Sequence, residues 1–238
     1  MPQTDIEVHG FARDIRTPDR AEVRLQVSKW GRDLASIHQA VAAAVSGLTT
    51  TIENLEATKP DALDSHDITQ ISQRSWTDDI GTAYAESVNV TVVFCDFQAM
   101  SQWIFQQSTD LVQVEGITWK LSSASQNTIS ISLRIEAMKD ARRKAETFAV
   151  AAGLVITSIE TLTDDDVSDD STASAPAIPE PPSGRSASAN GHLGINITPV
   201  PLETTVHLTA HFLAEPDLTE PEPHLSYGTL QSSFYPGA

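Results

Sequence analysis

The sequence predicts an α+β fold, a mostly antiparallel sheet with amphipathic helices packed on it. Three observations carry this. Several segments alternate apolar and polar residues with a period of two, and the first two of them follow each other with no helix between, as no parallel crossover allows. Two long segments repeat apolar residues at three- and four-residue steps. A strong final strand returns after a long stretch poor in large apolar residues, so it must pair with strands far back in the chain. With 238 residues and 40% apolar content, the chain has enough material for a core without disulfides or metal.

The elements follow in order. Ile6 and Val8 alternate with Glu7 and His9, and after the turn-like Arg16 to Arg20, Ala21, Val23, Leu25 and Val27 alternate with polar residues. The expectation is an antiparallel pair with one face buried. Asp33 stands where a helix N-cap belongs. From there Leu34, Ile37, Val41, Val45, Leu48, Ile52 and Leu55 form one helical stripe, which Pro60 prevents from continuing. A weak strand, "DITQIS", leads into a polar loop with Trp76, Asp78, Asp79 and Gly81. The strand "AYAESVNVTVVFC" then places Val88, Val90, Val92 and Phe94 on one face. A short helix around Phe97, Met100 and Ile104 precedes a strand from Val114 to Leu121, with Ile117, Trp119 and Leu121 on one side.

A second long helix is expected from Thr128 to Ala152. Its inner face is read as Ile131, Ile135, Met138, Ala141 or Arg142, Ala145, Phe148 and Ala152, and Gly153 should cap it in the left-handed region. "LVITSIETL" reads as a strand. Composition then shifts to an acidic and Pro/Ser-rich stretch, and a last strand, Leu202 to Leu213, buries Leu202, Val206, Leu208, Ala210 and Phe212. The expected organisation is one domain from residues 1–162 and 200–213, a linker or excursion at 163–199, and an acidic, proline-rich tail at 214–238 that carries Tyr227, Phe234 and Tyr235.

A formal charge of −17 disfavours nucleic acid and anionic membrane surfaces as partners. Only Lys139, Arg142, Arg143 and Lys144 cluster positive charge. Asp140 lies four before Lys144 and Arg142 four before Glu146, so a solvated helix face is the expectation rather than an anion or nucleic-acid site. The uncharged run from Leu34 to Ile52 is broken by Ser36, His38, Gln39 and several threonines, and reads as an amphipathic helix, not a membrane span. Cys95 is the single cysteine, which suits a reducing compartment. The N-terminus shows neither the basic region nor the apolar run of an export signal. The expected location is cytoplasmic.

No phosphate-binding loop, dinucleotide glycine pattern, nucleophile elbow or zinc-protease motif is present in the sequence. His207 and His211 would share a side on a helix, but on a strand they stand roughly 13 Å apart, too far for one ion. Asp64, His66 and Asp67 suit a cap or turn. The run Asp164, Asp165, Asp166, Asp169 and Asp170 lacks the glycine turn and distal glutamate of a calcium loop. Trp76, Asp78 and Asp79 are read as a surface turn with a partly buried tryptophan. No residue is assigned a catalytic, cofactor-binding or metal role, and no cofactor is expected.

Four segments in order resemble the SIMPL-domain family, which includes bacterial periplasmic immunogenic proteins. They are "IEVHGFARDIRTPDRAEVRLQV", with Gly10, Pro18, Asp19 and Ala21; "AYAESVNVTVVFCDF"; "DARRKAETFAVAAG", with Asp140, Ala141, Lys144, Ala145, Glu146, Ala152 and Gly153; and "TTVHLTAHFL". Ala12 stands where a second glycine commonly follows Gly10. The resemblance implies a mixed α+β domain, self-association into larger assemblies and no established catalytic residues. The expected function is therefore a noncatalytic interaction or self-assembly module, homo-oligomeric, with two alternatives: partner binding through the aromatic tail, or an enzyme of unrecognised type.

Overall fold

The computed structural model describes residues 3–107, 109–168, 173–174 and 197–217. Its strands are β1 (Thr4–Arg16), β2 (Arg20–Gly31), β3 (Leu63–Ile68), β4 (Ser72–Asp78), β5 (Gly81–Phe94), β6 (Val112–Lys120), β7 (Leu154–Ser168), β8 (Ala173–Ser174) and β9 (Leu202–Pro216). The helices are α1 (Leu34–Thr58), α2 (Phe97–Gln107) and α3 (Ser123–Ala151), with a single helical turn at Pro60–Ala62. Every pairing among the described strands is antiparallel, in keeping with the expected, mostly antiparallel α+β fold.

The strands form two sheets. The smaller has the order β1-β9-β7; the larger runs β3-β5-β2-β6-β8, with β4 also pairing β5. The expected pairing of β1 with β2 is corrected here: β1 lies along β9, and β2 lies between β5 and β6. The reason sits in the link between them. Asp19 does not close a hairpin; its carboxylate accepts hydrogen bonds from the Ser122 N–H and hydroxyl at 2.6 and 2.8 Å and from the Ser125 hydroxyl at 2.6 Å, at the start of α3. Period-two patterning shows that a strand has a buried face but not which strand it meets.

The buried parities agree with the sequence. Val23, Leu25 and Val27 pair Val92, Val90 and Val88 across β2 and β5, and Leu202, Val206, Leu208, Ala210 and Phe212 are buried along β9. A single apolar cluster joins both sheets with Ile37, Val41, Leu48 and Ile52 of α1 and Met100, Trp103 and Ile104 of α2. Each large side chain so buried contributes about 1.5–3 kcal/mol before chain entropy is set against it. Asp33 caps α1 by accepting from the Ala35 N–H at 3.1 Å. Gly153 ends α3 with φ 68°, as its position predicts.

Several boundaries differ from expectation: α3 starts at Ser123 rather than Thr128, and the weak strand is Leu63–Ile68. The polar loop around Trp76 is strand β4 followed by a turn at Asp79 and Ile80, with Gly81 at φ 126°. Apart from Trp76 its residues are polar, so no alternation marks it. Residues 163–168, expected to begin the linker, continue β7, and residues 214–216, expected to begin the tail, complete β9.

The inner face of α3 is corrected as well. Ile129, Leu133, Ala137, Ala141, Ala145 and Ala149 are buried, whereas Ile135 and Phe148 are 52% and 57% exposed. Alanines at four-residue steps give the helix a shallow face. That face lets its backbone approach β1 closely at Gly10, where an added Cβ would stand 2.2 Å from the Ala137 carbonyl oxygen. From Ala137 onward the large side chains therefore fall on the flanks.

Candidate functional site

The positive cluster on α3 is engaged residue by residue. Lys139 pairs Glu136 at 2.8 Å, Arg142 pairs Glu146 at 2.8 Å, and Arg143 and Lys144 both reach Asp140, at 2.6 and 2.7 Å. Lys144 also donates to the His9 carbonyl at 2.8 Å, tying the helix to β1. The Lys144 hydrogen bond, aided by those from the Phe11 N–H and Arg143, outweighs burial and holds the Asp140 carboxyl below the ordinary carboxylate range. Exposed pairs of this kind contribute about 0–1 kcal/mol each, so they orient the helix surface more than they stabilise it.

The other candidates are dispersed. Phe11 packs its ring against His207 at 4.9 Å between centroids, while His211 meets Asp5 at 3.0 Å. The Asp5 contact raises the His211 pKa above its usual value. Asp64, His66 and Asp67 lie on strand β3, not in a loop, where Asp64 pairs Arg20 and His66 pairs Glu56, each at 3.2 Å. Asp78 is bound by Arg32 at 2.8 Å, and hydrogen bonds from Arg32 and then the Ile80 N–H lower its pKa. Asp164 pairs Arg134 at 2.8 Å; Asp169 and Asp170 lie outside the described residues. Among the described residues no three His, Cys, Asp or Glu side chains are grouped to hold a metal ion. No described helix is long and apolar enough to cross a membrane. Tyr227, Phe234 and Tyr235 lie outside the described residues.

Two features were not anticipated from sequence. Glu86 is buried on β5 and meets the Nδ1 of His38 on α1 at 3.0 Å. The second is a groove of about 540 Å³ between α3 and β7. Ile135 and Met138 form its helix wall, Ile159 lies on the strand side and Phe212 at its base, with Arg134, Lys139 and Arg142 among its lining. It exists because α3 sits over β1 and β9. The helix-facing residues of β7 are left partly open, with Ile159 and Leu162 48% and 55% exposed. The legible signal was the alanine spacing at 137, 141, 145 and 149, which displaces Ile135 and Met138 from the core face to this groove.

No curated protein matches the chain. A family described as SIMPL, protein of unknown function (DUF541), matches residues 6–212, a span that begins in β1 and ends in β9. That match takes in most of the chain, from the Gly10 and Asp19 contacts through α3 to the closing strand, and on this ground the chain belongs to the SIMPL family.

Proposed function

We propose that this SIMPL-domain protein is a noncatalytic interaction module that assembles with copies of itself through the β7 side of the small sheet. The observation that carries this is the character of β7. It is a 15-residue strand at the sheet edge, bonded to β9 alone among the described strands, with Val155 and Leu162 exposed. An open edge of that length invites another strand, and exposed apolar residues beside it add area that water disfavours. Interruptions in the β7–β9 register bend the strand but leave its outer edge unpaired within the described fold. The cytoplasmic placement that a lone Cys95 suits belongs to the same proposal.

Light scattering tests it. The full chain should give a mass well above 25.7 kDa. Leu162→Lys should move the mass toward that of one chain, because it sets a cation on the contact surface. Removal of residues 218–238, which leaves β9 whole, should preserve the subunit count. A monomer at tens of micromolar refutes assembly, and association lost only on tail removal transfers the role to the tail.

Nucleic acid is excluded as a partner in this reading, on the charge of −17 and the carboxylate partner beside each cation of α3. The expected outcome is no submicromolar DNA or RNA binding at physiological salt. Salt-sensitive binding abolished by neutralising Lys139, Arg142, Arg143 and Lys144 would overturn it.

A further inference from the structure

We infer that the groove between α3 and β7 is the docking site of the chain's own C-terminal segment, residues 218–238. The described chain ends at one end of that groove. β9 ends beside the start of β7, and the Asp217 N–H donates to the Gly153 carbonyl at 3.0 Å, so the segment begins where α3 ends and β7 starts. Those are the two elements that form the groove.

Reach agrees with this placement. Along α3, Arg142 stands roughly 14 Å, Met138 roughly 20 Å and Arg134 roughly 26 Å from Ala151, at about 1.5 Å per helical residue. Ile159 stands roughly 17 Å along β7 from Leu154. A chain spans at most about 3.3–3.6 Å per residue. Glu222 is thus within reach of Arg142, and Leu225 and Tyr227 are within reach of Met138 and Ile135.

Charge and apolar character then agree in order. From Glu215 to Pro223 the chain carries Glu215, Asp217, Glu220 and Glu222 and no cation, and the apolar residues Leu225, Tyr227, Leu230, Phe234 and Tyr235 follow. The groove lining holds Arg134, Lys139 and Arg142, paired to Asp164, Glu136 and Glu146, over walls of Ile135, Met138 and Ile159. Leucine and aromatic side chains suit the apolar walls, and the acidic lead-in supplies carboxylates that can exchange with the present partners of Arg142 and Arg134. Those pairs are exposed and weak, so a carboxylate of the segment can replace one of them at little cost.

The test is photo-crosslinking in the full chain, with a photoreactive amino acid in place of Ile159 or, in a second protein, Met138. Both are run as equal mixtures of isotope-labelled and unlabelled chains so that contacts within and between copies are told apart. The expected products join position 159 or 138 to residues 220–235 of the same chain. Glu220→Lys with Glu222→Lys should lower their yield at least five-fold. Crosslinks to residues 175–196 or to another copy's tail overturn the proposal. So does an absence of tail crosslinks at both positions. Subunit mass is measured separately, so a chain that assembles without tail crosslinks refutes only this docking, and a monomer with them refutes only the assembly.

Discussion

Gly10→Ala is expected to destabilise the protein by about 3 kcal/mol, and Gly10→Val by more. The added Cβ would lie 2.2 Å from the Ala137 carbonyl oxygen and 3.0 Å from the Ala141 Cβ, so the contact is with helix backbone and cannot be relieved by a rotamer change. Moving α3 outward lifts Ala141, Ala145 and Ala149 from the small sheet together. Gly47 supplies the control. It lies on an exposed side of α1 with nothing within 4 Å of its notional Cβ, and Gly47→Ala should stabilise by about 0.5–1 kcal/mol through helix propensity alone. Urea unfolding compares them. Equal midpoints for Gly10→Ala and the parent protein would show that α3 does not approach β1 as described.

Asp19→Ala should cost about 2–3 kcal/mol. The change leaves the Ser122 N–H and the Ser125 hydroxyl without their acceptor and the Ser122 hydroxyl with Ser125 Oγ in its place, and it frees the link that turns β1 away from β2. Burial works against the Asp19 charge, but the hydrogen bonds from Ser125 and Ser122, with Arg20 nearby, outweigh it and hold its pKa below 3.8. The folded value is depressed, so this stabilisation is present above the unfolded pKa and is lost as pH falls through the folded one. Asp19→Asn should therefore be less stable than the parent at pH 7, and the gap should close as pH drops below about 3.8. A gap that stays constant down to the acid transition would remove the charged acceptor from the explanation.

How far the fold was legible depends on what each residue's neighbours are. Val23, Leu25 and Val27 disclosed a buried face because a strand's two faces differ by parity, whatever strand lies alongside. The partner of β1 was not disclosed, since Ile6 and Val8 satisfy the same parity against β2 or β9. On α3 the large apolar side chains drew the helical stripe one way, and only the space required between a helix and Gly10 shows that the alanines face inward. The groove followed from that same displacement and so was missed with it. β4 was invisible because Ser72 to Asp78 has no apolar parity; its hydrogen bonds to β5 are made by backbone that any sequence supplies. The surface pairing of Lys144 and Arg142 was legible because both partners sit four residues away on one helix.

The position of β9 between β1 and β7 also sets an order of events during synthesis. Thr4 pairs Ala214, so the first strand made waits for the last one, and β7 waits for that same strand. At about 5–20 residues per second, the interval is roughly 10–40 s for some 200 residues. The larger sheet has no such delay, because β2, β5 and β6 have all been made by Lys120. A nascent chain therefore holds a paired β2-β5-β6 unit while β1 still presents bare backbone, and any product that stops short of Leu202 leaves both outer strands of the small sheet without the one that joins them. Ribosome stalling in the stretch after Ser168 should consequently yield chains that retain chaperones or aggregate, whereas chains released after Asp217 should not.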